Sequence, residues 1–281
     1  MTTTGKQRAP IETTMTIHAP ADAVWEALCT GDGLASWFPL EARVKPGVGG
    51  TVFTSWRNEF VFDMPIMAWE PNKHVRWQWG AHEGDAPAPS VVDFYLESKG
   101  GDTVLRMVHH GFSADADWDE MYNGTVRGWD FELNSLKTYL DYHRGQPRHV
   151  AHVRSPIKSL AHAEAFERLL APGALVSQGS LKGMTVGDTF DVTLTGGQRL
   201  RGRVRAHEPG LYMCFEIENF DHAIMRIDIE SCDPSKGPMV WLWLSAWGNY
   251  AKEAEALNKA WLGVMNKCFG EALPIGAEYA G

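Results

Sequence analysis

Long apolar runs are missing from this 281-residue chain. Nowhere do about eighteen apolar residues follow one another, so no stretch suits a bilayer-spanning helix. Residues 1–10 lack the apolar centre of a secretion signal and are expected to form a short disordered arm. Cysteine is scarce, and Cys29, Cys214, Cys232 and Cys268 show no paired spacing. That argues against a disulfide framework and for reduced thiols in the cytoplasm. Positive charge is in deficit, with 26 Lys and Arg against 35 Asp and Glu. The shortfall is uneven: residues 1–145 carry 12 basic and 20 acidic side chains, residues 146–281 carry 14 and 15. Such a balance repels phosphate backbones and anionic lipid, so neither nucleic acid nor membrane is an expected partner. HExxH, CxxC, a phosphate-binding glycine loop and GxSxG are absent too. Zinc peptidase, dithiol, nucleotide and serine hydrolase chemistries therefore lack their signatures, and no metal or cofactor is called for.

What the chain does have is alternation and aromatic residues, including 12 tryptophans. Residues 11–18 alternate and are rich in β-branched side chains, which predicts a strand. Pro20 opens a short helix over 21–28, Gly31 and Gly33 break it, and 34–39 make a second short turn. Six further strands are expected near 40–45, 50–57, 60–69, 74–80, 90–98 and 103–110. Lys99-Gly100-Gly101-Asp102 is the hairpin turn between the last two. An acid-rich loop over 113–120 then leads into a helix over 125–144. There Trp129, Leu133, Leu136 and Leu140 recur at helical spacing, and Phe131 and Tyr139 broaden the stripe. A stripe this wide belongs to a helix lying on a large apolar surface, here a sheet.

Several short stretches, in this order, resemble one family. They are Ile17-His18-Ala19-Pro20-Ala21-Asp22-Ala23-Val24-Trp25, Trp37-Phe38, Gly49-Gly50, Trp69-Glu70-Pro71 and Gly128-Trp129. Residues 11–145 resemble the activator-of-Hsp90-ATPase-homologue-1-like proteins of the Bet v 1/START-related (SRPBCC) superfamily. The resemblance implies an α+β helix-grip fold, a curved antiparallel sheet wrapped around a long C-terminal helix. Such proteins commonly enclose a ligand cavity between sheet and helix.

Residues 146–281 repeat the plan, independently of any family. Gly49-Gly50-Thr51 matches Gly187-Asp188-Thr189, Glu70-Pro71 matches Glu208-Pro209, and Trp77 falls on Phe215, all at one separation. Trp25-Glu26 and Leu34 match Phe166-Glu167 and Leu175, and Glu97-Ser98 matches Glu230-Ser231, at slightly different separations. Small drifts between constant stretches are what loop insertions leave in a duplication. A helix from Ala251 to Phe269 ends this half as well. The expectation is two helix-grip (Bet v 1-like) domains, 11–145 and 146–281, the second diverged and its first strand, 149–153, short.

Strand parity places Val75, Trp77 and Trp79 on one face and Arg76 and Gln78 on the other. If the apolar face meets the helix, Trp37, Phe53, Trp56, Phe62, Trp77, Trp79, Phe94, Met107, Trp129 and Leu133 line the space between. Those residues form either a pocket for a flat apolar ligand or ordinary core packing. His109 shares the parity of Leu105 and Met107 and is the candidate proton carrier. Asp63 is expected to face outward, and Arg106 and Asp93 to pair across strands on the outer face. Asp115, Asp117 and Asp119 have the opening spacing of a calcium loop, but Glu120 and Val126 stand where its glycine and glutamate belong. In the second half, Ser245 stands in for His109. Trp241, Trp243 and Trp247 share a face that asks for cover, from the first domain or from a second copy of the chain in a homodimer.

Two functional classes follow. One is a cytoplasmic protein that binds a small hydrophobic or aromatic molecule in the first domain. The superfamily resemblance adds non-redox proton-transfer chemistry to it, such as cyclisation, dehydration or hydrolysis. The other, implied by the family's name, is a protein-binding module of co-chaperone or regulatory type without catalysis.

Overall fold

The computed structural model describes residues 7–57, 60–79, 90–230 and 237–277. Most of the expected arm, 1–6, and Cys232 lie outside the described residues. The chain divides into two compact units, Met1–Arg144 and Gly145–Gly281.

In the first unit β1 (Ile11–Ile17), β2 (Glu41–Lys45), β3 (Thr51–Ser55), β4 (Val61–Glu70), β5 (His74–Gln78), β6 (Val91–Lys99) and β7 (Asp102–His110) form one antiparallel sheet. Its order is β1-β7-β6-β5-β4-β3-β2. From β2 to β7 each strand pairs with the next, as short connections dictate. β1 instead pairs with β7, so the chain must cross from one edge of the sheet to the other. α1 (Ala21–Cys29) and α2 (Gly31–Ala35) make that crossing.

α3 (Asp119–Tyr142) closes the sheet. It starts earlier than the expected 125, because Asp119 and Glu120 sit in its first turn, where carboxylates suit the helix dipole. Trp129, Leu133, Leu136 and Leu140 are buried, as their spacing predicted. Near its end Lys137 Nζ donates to the Thr16 carbonyl (2.6 Å), and Asp141 accepts the His18 N–H (2.7 Å). The helix is thereby tied to the end of β1. The expected disordered arm is held at its described end: Gln7 bridges Ser113, and the Arg8 N–H bonds the Phe112 carbonyl at 3.1 Å. Arg8 also donates to the Ser113 carbonyl, pairs with Asp119 and lies over the Tyr122 ring. Hydrogen bonds and a charge pair thus replace the freedom that the arm's composition suggested.

A bulge in β4 sets which rings point inward. Ile66 pairs with Trp77 and Ala68 with Arg76, so one residue between them is unpaired. Ile66 and Trp69 consequently both face the interior despite their odd spacing. There Trp69 meets the edge of Trp25 from α1 at 5.0 Å.

The second unit has β8 (Arg148–Pro156), α4 (His162–Leu169), β9 (Val176–Gln178), β10 (Thr189–Leu194), β11 (Arg199–Glu208), β12 (Tyr212–Ile217), β13 (Ala223–Glu230), β14 (Met239–Trp247), α5 (Ala251–Phe269) and β15 (Leu273–Pro274). Its sheet order, β15-β8-β14-β13-β12-β11-β10-β9, repeats the first with β15 added beyond β8. β8 is longer than the expected 149–153, because β14 and β15 pair with it on both sides. The repeat extends to single hydrogen bonds. Gly49 N–H bonds Ile66 O and Ile66 N–H bonds Gly50 O (3.0 and 2.9 Å); Gly187 N–H bonds Val204 O and Val204 N–H bonds Asp188 O (both 2.9 Å). The bulge recurs between Val204 and Ala206. Both domains are therefore α+β helix-grip folds built on one frame. Among the described residues no helix is long and apolar enough to cross a membrane.

Candidate functional site

One cluster of aromatic side chains of the first domain meets between sheet and helix. Trp77 packs on Phe94 (ring centres 4.7 Å) and Phe94 on Trp129 (5.8 Å). Trp129 also touches Trp79 (5.7 Å) and Phe38 (5.8 Å). Phe38, which sequence reasoning did not place in the site, is the hub: it reaches Trp37, Trp56 and Trp79 as well. Its signal was its place after Trp37, whose indole N–H is spent on the Ala27 carbonyl at 2.9 Å. Trp56 and Trp79 both contact Phe62 (6.1 and 5.2 Å). Met107 and Leu133 are buried, Met107 opposite Phe94 on the β6–β7 ladder. Rings are fully buried at the Trp77 end and half-buried at Trp79, Phe62 and Phe60.

Phe53 is not brought to this cluster. Val52 and Thr54 take the inward positions on β3, and Phe53 faces the other way under the Arg43 guanidinium, 3.8 Å from its ring centre. Strand parity overrides hydrophobicity there.

His109 is buried, at 1% exposure, and both ring nitrogens are engaged. The Trp129 indole N–H donates to Nδ1 (2.9 Å), and Nε2 lies 2.6 Å from Ser90 Oγ. An indole N–H only donates, so Nδ1 accepts and the proton of the neutral ring resides on Nε2. Ser90 therefore accepts from His109. Ser90 was missed by sequence reasoning because a lone serine ahead of a strand carries no motif. It sits directly across from Trp79, whose backbone N–H bonds the Ser90 carbonyl at 2.8 Å. Phe112 (4.6 Å) and then Tyr122 continue the ring contacts from His109 toward Arg8.

The outer face of this sheet differs from expectation in one pairing. The register sets Asp93 opposite Arg76 and Val108, and Arg106 opposite Tyr95. Asp93, only 1% exposed, takes two bonds from Arg76 (2.7 and 3.0 Å), one contact from His74 (2.6 Å) and a longer one from His110 (3.4 Å). Arg106 turns instead to Glu12 (2.6 Å). Burial by itself raises the Asp93 pKa, but hydrogen bonds from Arg76 and His74, with their charges, outweigh it. The carboxyl ends below its usual range. Asp63 is exposed, as expected. Of the acidic loop, Asp115 is engaged by Ser113 and Asp119 by Arg8.

In the second domain Ser245 does not stand in for His109. The ladder Trp77–Val92–His109 corresponds to Phe215–Met225–Leu244. Leu244 is thus the inward residue, part of an apolar core that also holds Leu257, Trp261 and Met265 of α5. Ser245 lies on the opposite face, where it accepts from Trp243 (2.9 Å) and Arg148 (2.9 Å). A one-residue difference in register exchanges the faces. Trp241, Trp243 and Trp247 are on that same face and buried, outside the apolar core of their own domain. His152 stacks flat on Trp241 at 5.0 Å.

A curved antiparallel sheet gripping one long helix, with rings and the buried imidazole of His109 in the gap, defines a helix-grip domain. Here the plan occurs twice. Residues 18–141 match the model of the activator of Hsp90 ATPase homolog 1-like family. No curated protein matched the chain. Among solved structures it is similar to the Aha1 dimer from Colwellia psychrerythraea (25% identity, TM-score 0.44, covering 49% of this chain and 100% of that one). It is also similar to protein MLL2253 from Mesorhizobium loti (30% identity, TM-score 0.41, covering 46% of this chain and 96% of that one). DynU16, described as a putative protein in the dynemicin biosynthetic locus, aligns over 93% of this chain and 99% of its own (16% identity, TM-score 0.40).

Proposed function

We propose that the first domain binds a small, flat, largely apolar molecule against the half-buried rings Trp79 and Phe62 and the buried Trp56, with Trp129 and His109 behind them. The observation that carries this reading is the gradient along one continuous ring cluster, fully buried at Trp77 and half-buried at Trp79 and Phe62. Partly wet indole and phenyl faces suit a planar ligand. The free thiols Cys29, Cys214 and Cys268 fit a reducing cytoplasm.

Binding is better supported than catalysis by His109. Its Nδ1 is occupied by Trp129, so a general-base role would require that bond to be given up. If the ligand is turned over, one imidazole and one hydroxyl at the rings suit non-redox proton transfer, such as cyclisation, dehydration or hydrolysis. The second domain, with Leu244 in the imidazole's place, is read as structural, and its indole face as a packing surface.

Native mass spectrometry of the purified chain tests the reading, together with tryptophan fluorescence titration against planar aromatic compounds. Saturable quenching that Trp79→Ala removes is the expected result. Quenching that persists unchanged in Trp79→Ala puts the ligand elsewhere.

A further inference from the structure

The chain of donors and acceptors at His109 has a direction. Trp129 N–H donates to His109 Nδ1, His109 Nε2–H donates to Ser90 Oγ, and the O–H of the buried Ser90 is the last donor of the chain. An imidazole whose Nδ1 is already filled cannot take the serine proton back. The hydroxyl also stands at the right place: one residue beyond the β5–β6 ladder Ser90 faces Trp79, the half-buried ring of the proposed site. Polarisation along such a chain strengthens its last donor.

We propose that Ser90 is the specificity-determining polar contact of this site, donating one hydrogen bond to an acceptor oxygen on the ligand. This rests on the ligand-binding reading above and narrows it. The ligand class is a planar, largely apolar molecule bearing a carbonyl or phenolate-type oxygen at one edge, and hydrocarbons or ligands with only donors at that edge are disfavoured. Trp129 and His109 act through Ser90: they are positioning residues that fix which way its hydroxyl points.

Two nearly isosteric probes separate the possibilities, acetylnaphthalene with its carbonyl and ethylnaphthalene without one, each measured by equilibrium dialysis. One neutral hydrogen bond corresponds to a preference of roughly five- to tenfold for the ketone in the unmodified chain. Ser90→Ala is expected to bring the ratio of the two affinities to about one, and Ser90→Thr, which keeps a hydroxyl, to restore the preference. A ratio near one in the unmodified chain overturns the proposal, as does a preference that Ser90→Ala leaves intact. Failure of both probes to bind removes the site reading itself, and this inference with it. The direction of the chain is checked without any ligand through the side-chain nitrogen shifts of His109 at neutral pH. A protonated Nε2 with bare Nδ1 is expected; a protonated Nδ1 or an imidazolium overturns the proposal.

Discussion

Trp129 and Trp261 lie on the closing helices of the two domains, and their indole N–H groups fare differently. That of Trp129 bonds His109, whereas that of Trp261 is buried without a hydrogen-bond partner among the described residues. Trp129→Phe should therefore cost about 1–3 kcal/mol, because it leaves the buried Nδ1 of His109 without its donor. Trp261→Phe, which removes an unpaired donor, should cost less. Urea unfolding of the two variants, compared at equal slope, checks the difference. Asp93 gives a pH dependence. Its folded pKa is depressed, so the stability it contributes is present above the ordinary carboxylate range and lost as pH falls through the folded value. The unfolding midpoint should drop on acidification below about pH 4. Asp93→Asn should lower stability at neutral pH, by about 1–3 kcal/mol, and flatten that drop. At this scale the sequence was readable wherever parity alone decided, as for Trp77, Phe94 and His109. It failed at Phe53, where hydrophobicity was read in place of parity, and at Arg106–Asp93, where the answer depended on which residue stood opposite, and register is not written in one strand.

The bulge between β4 and β5, repeated between β11 and β12, requires its neighbouring glycine. Gly49 and Gly187 enter the following strand at φ 81 and 93, a region that residues with a Cβ rarely adopt. Gly49→Ala and Gly187→Ala should each destabilise by about 1–2 kcal/mol, and by similar amounts, since both serve the same hydrogen-bond pair. Chemical denaturation of the two variants tests the equivalence. Gly49-Gly50-Thr51 with Gly187-Asp188-Thr189, and Glu70-Pro71 with Glu208-Pro209, make the repeat visible in the amino-acid sequence, and strands and helices fall close to where alternation and helical spacing put them. The bulges were not legible: a single unpaired residue leaves the hydrophobic pattern locally ambiguous. The early start of α3 was hidden because its first turn is acidic and looks like loop.

At the scale of the whole chain, ligand sensitivity should belong to one copy. Saturating a planar aromatic ligand should raise the unfolding midpoint of the first domain, and Trp79→Ala should abolish the rise, while Trp261→Phe leaves it in place. Thermal scans followed by amide exchange, read separately for 11–144 and 148–274, distinguish the two. What the sequence could show here was that the plan is doubled; it could not show that the ladder position of His109 passes to Leu244, because only pairing across three strands reveals it.

That shared ladder gives the polypeptide its own control experiment. Temperature, denaturant or salt acts on two frames of the same strand order at once, one wired through an imidazole and one filled with leucine. Any response confined to the first copy therefore reports on the wiring and not on the architecture.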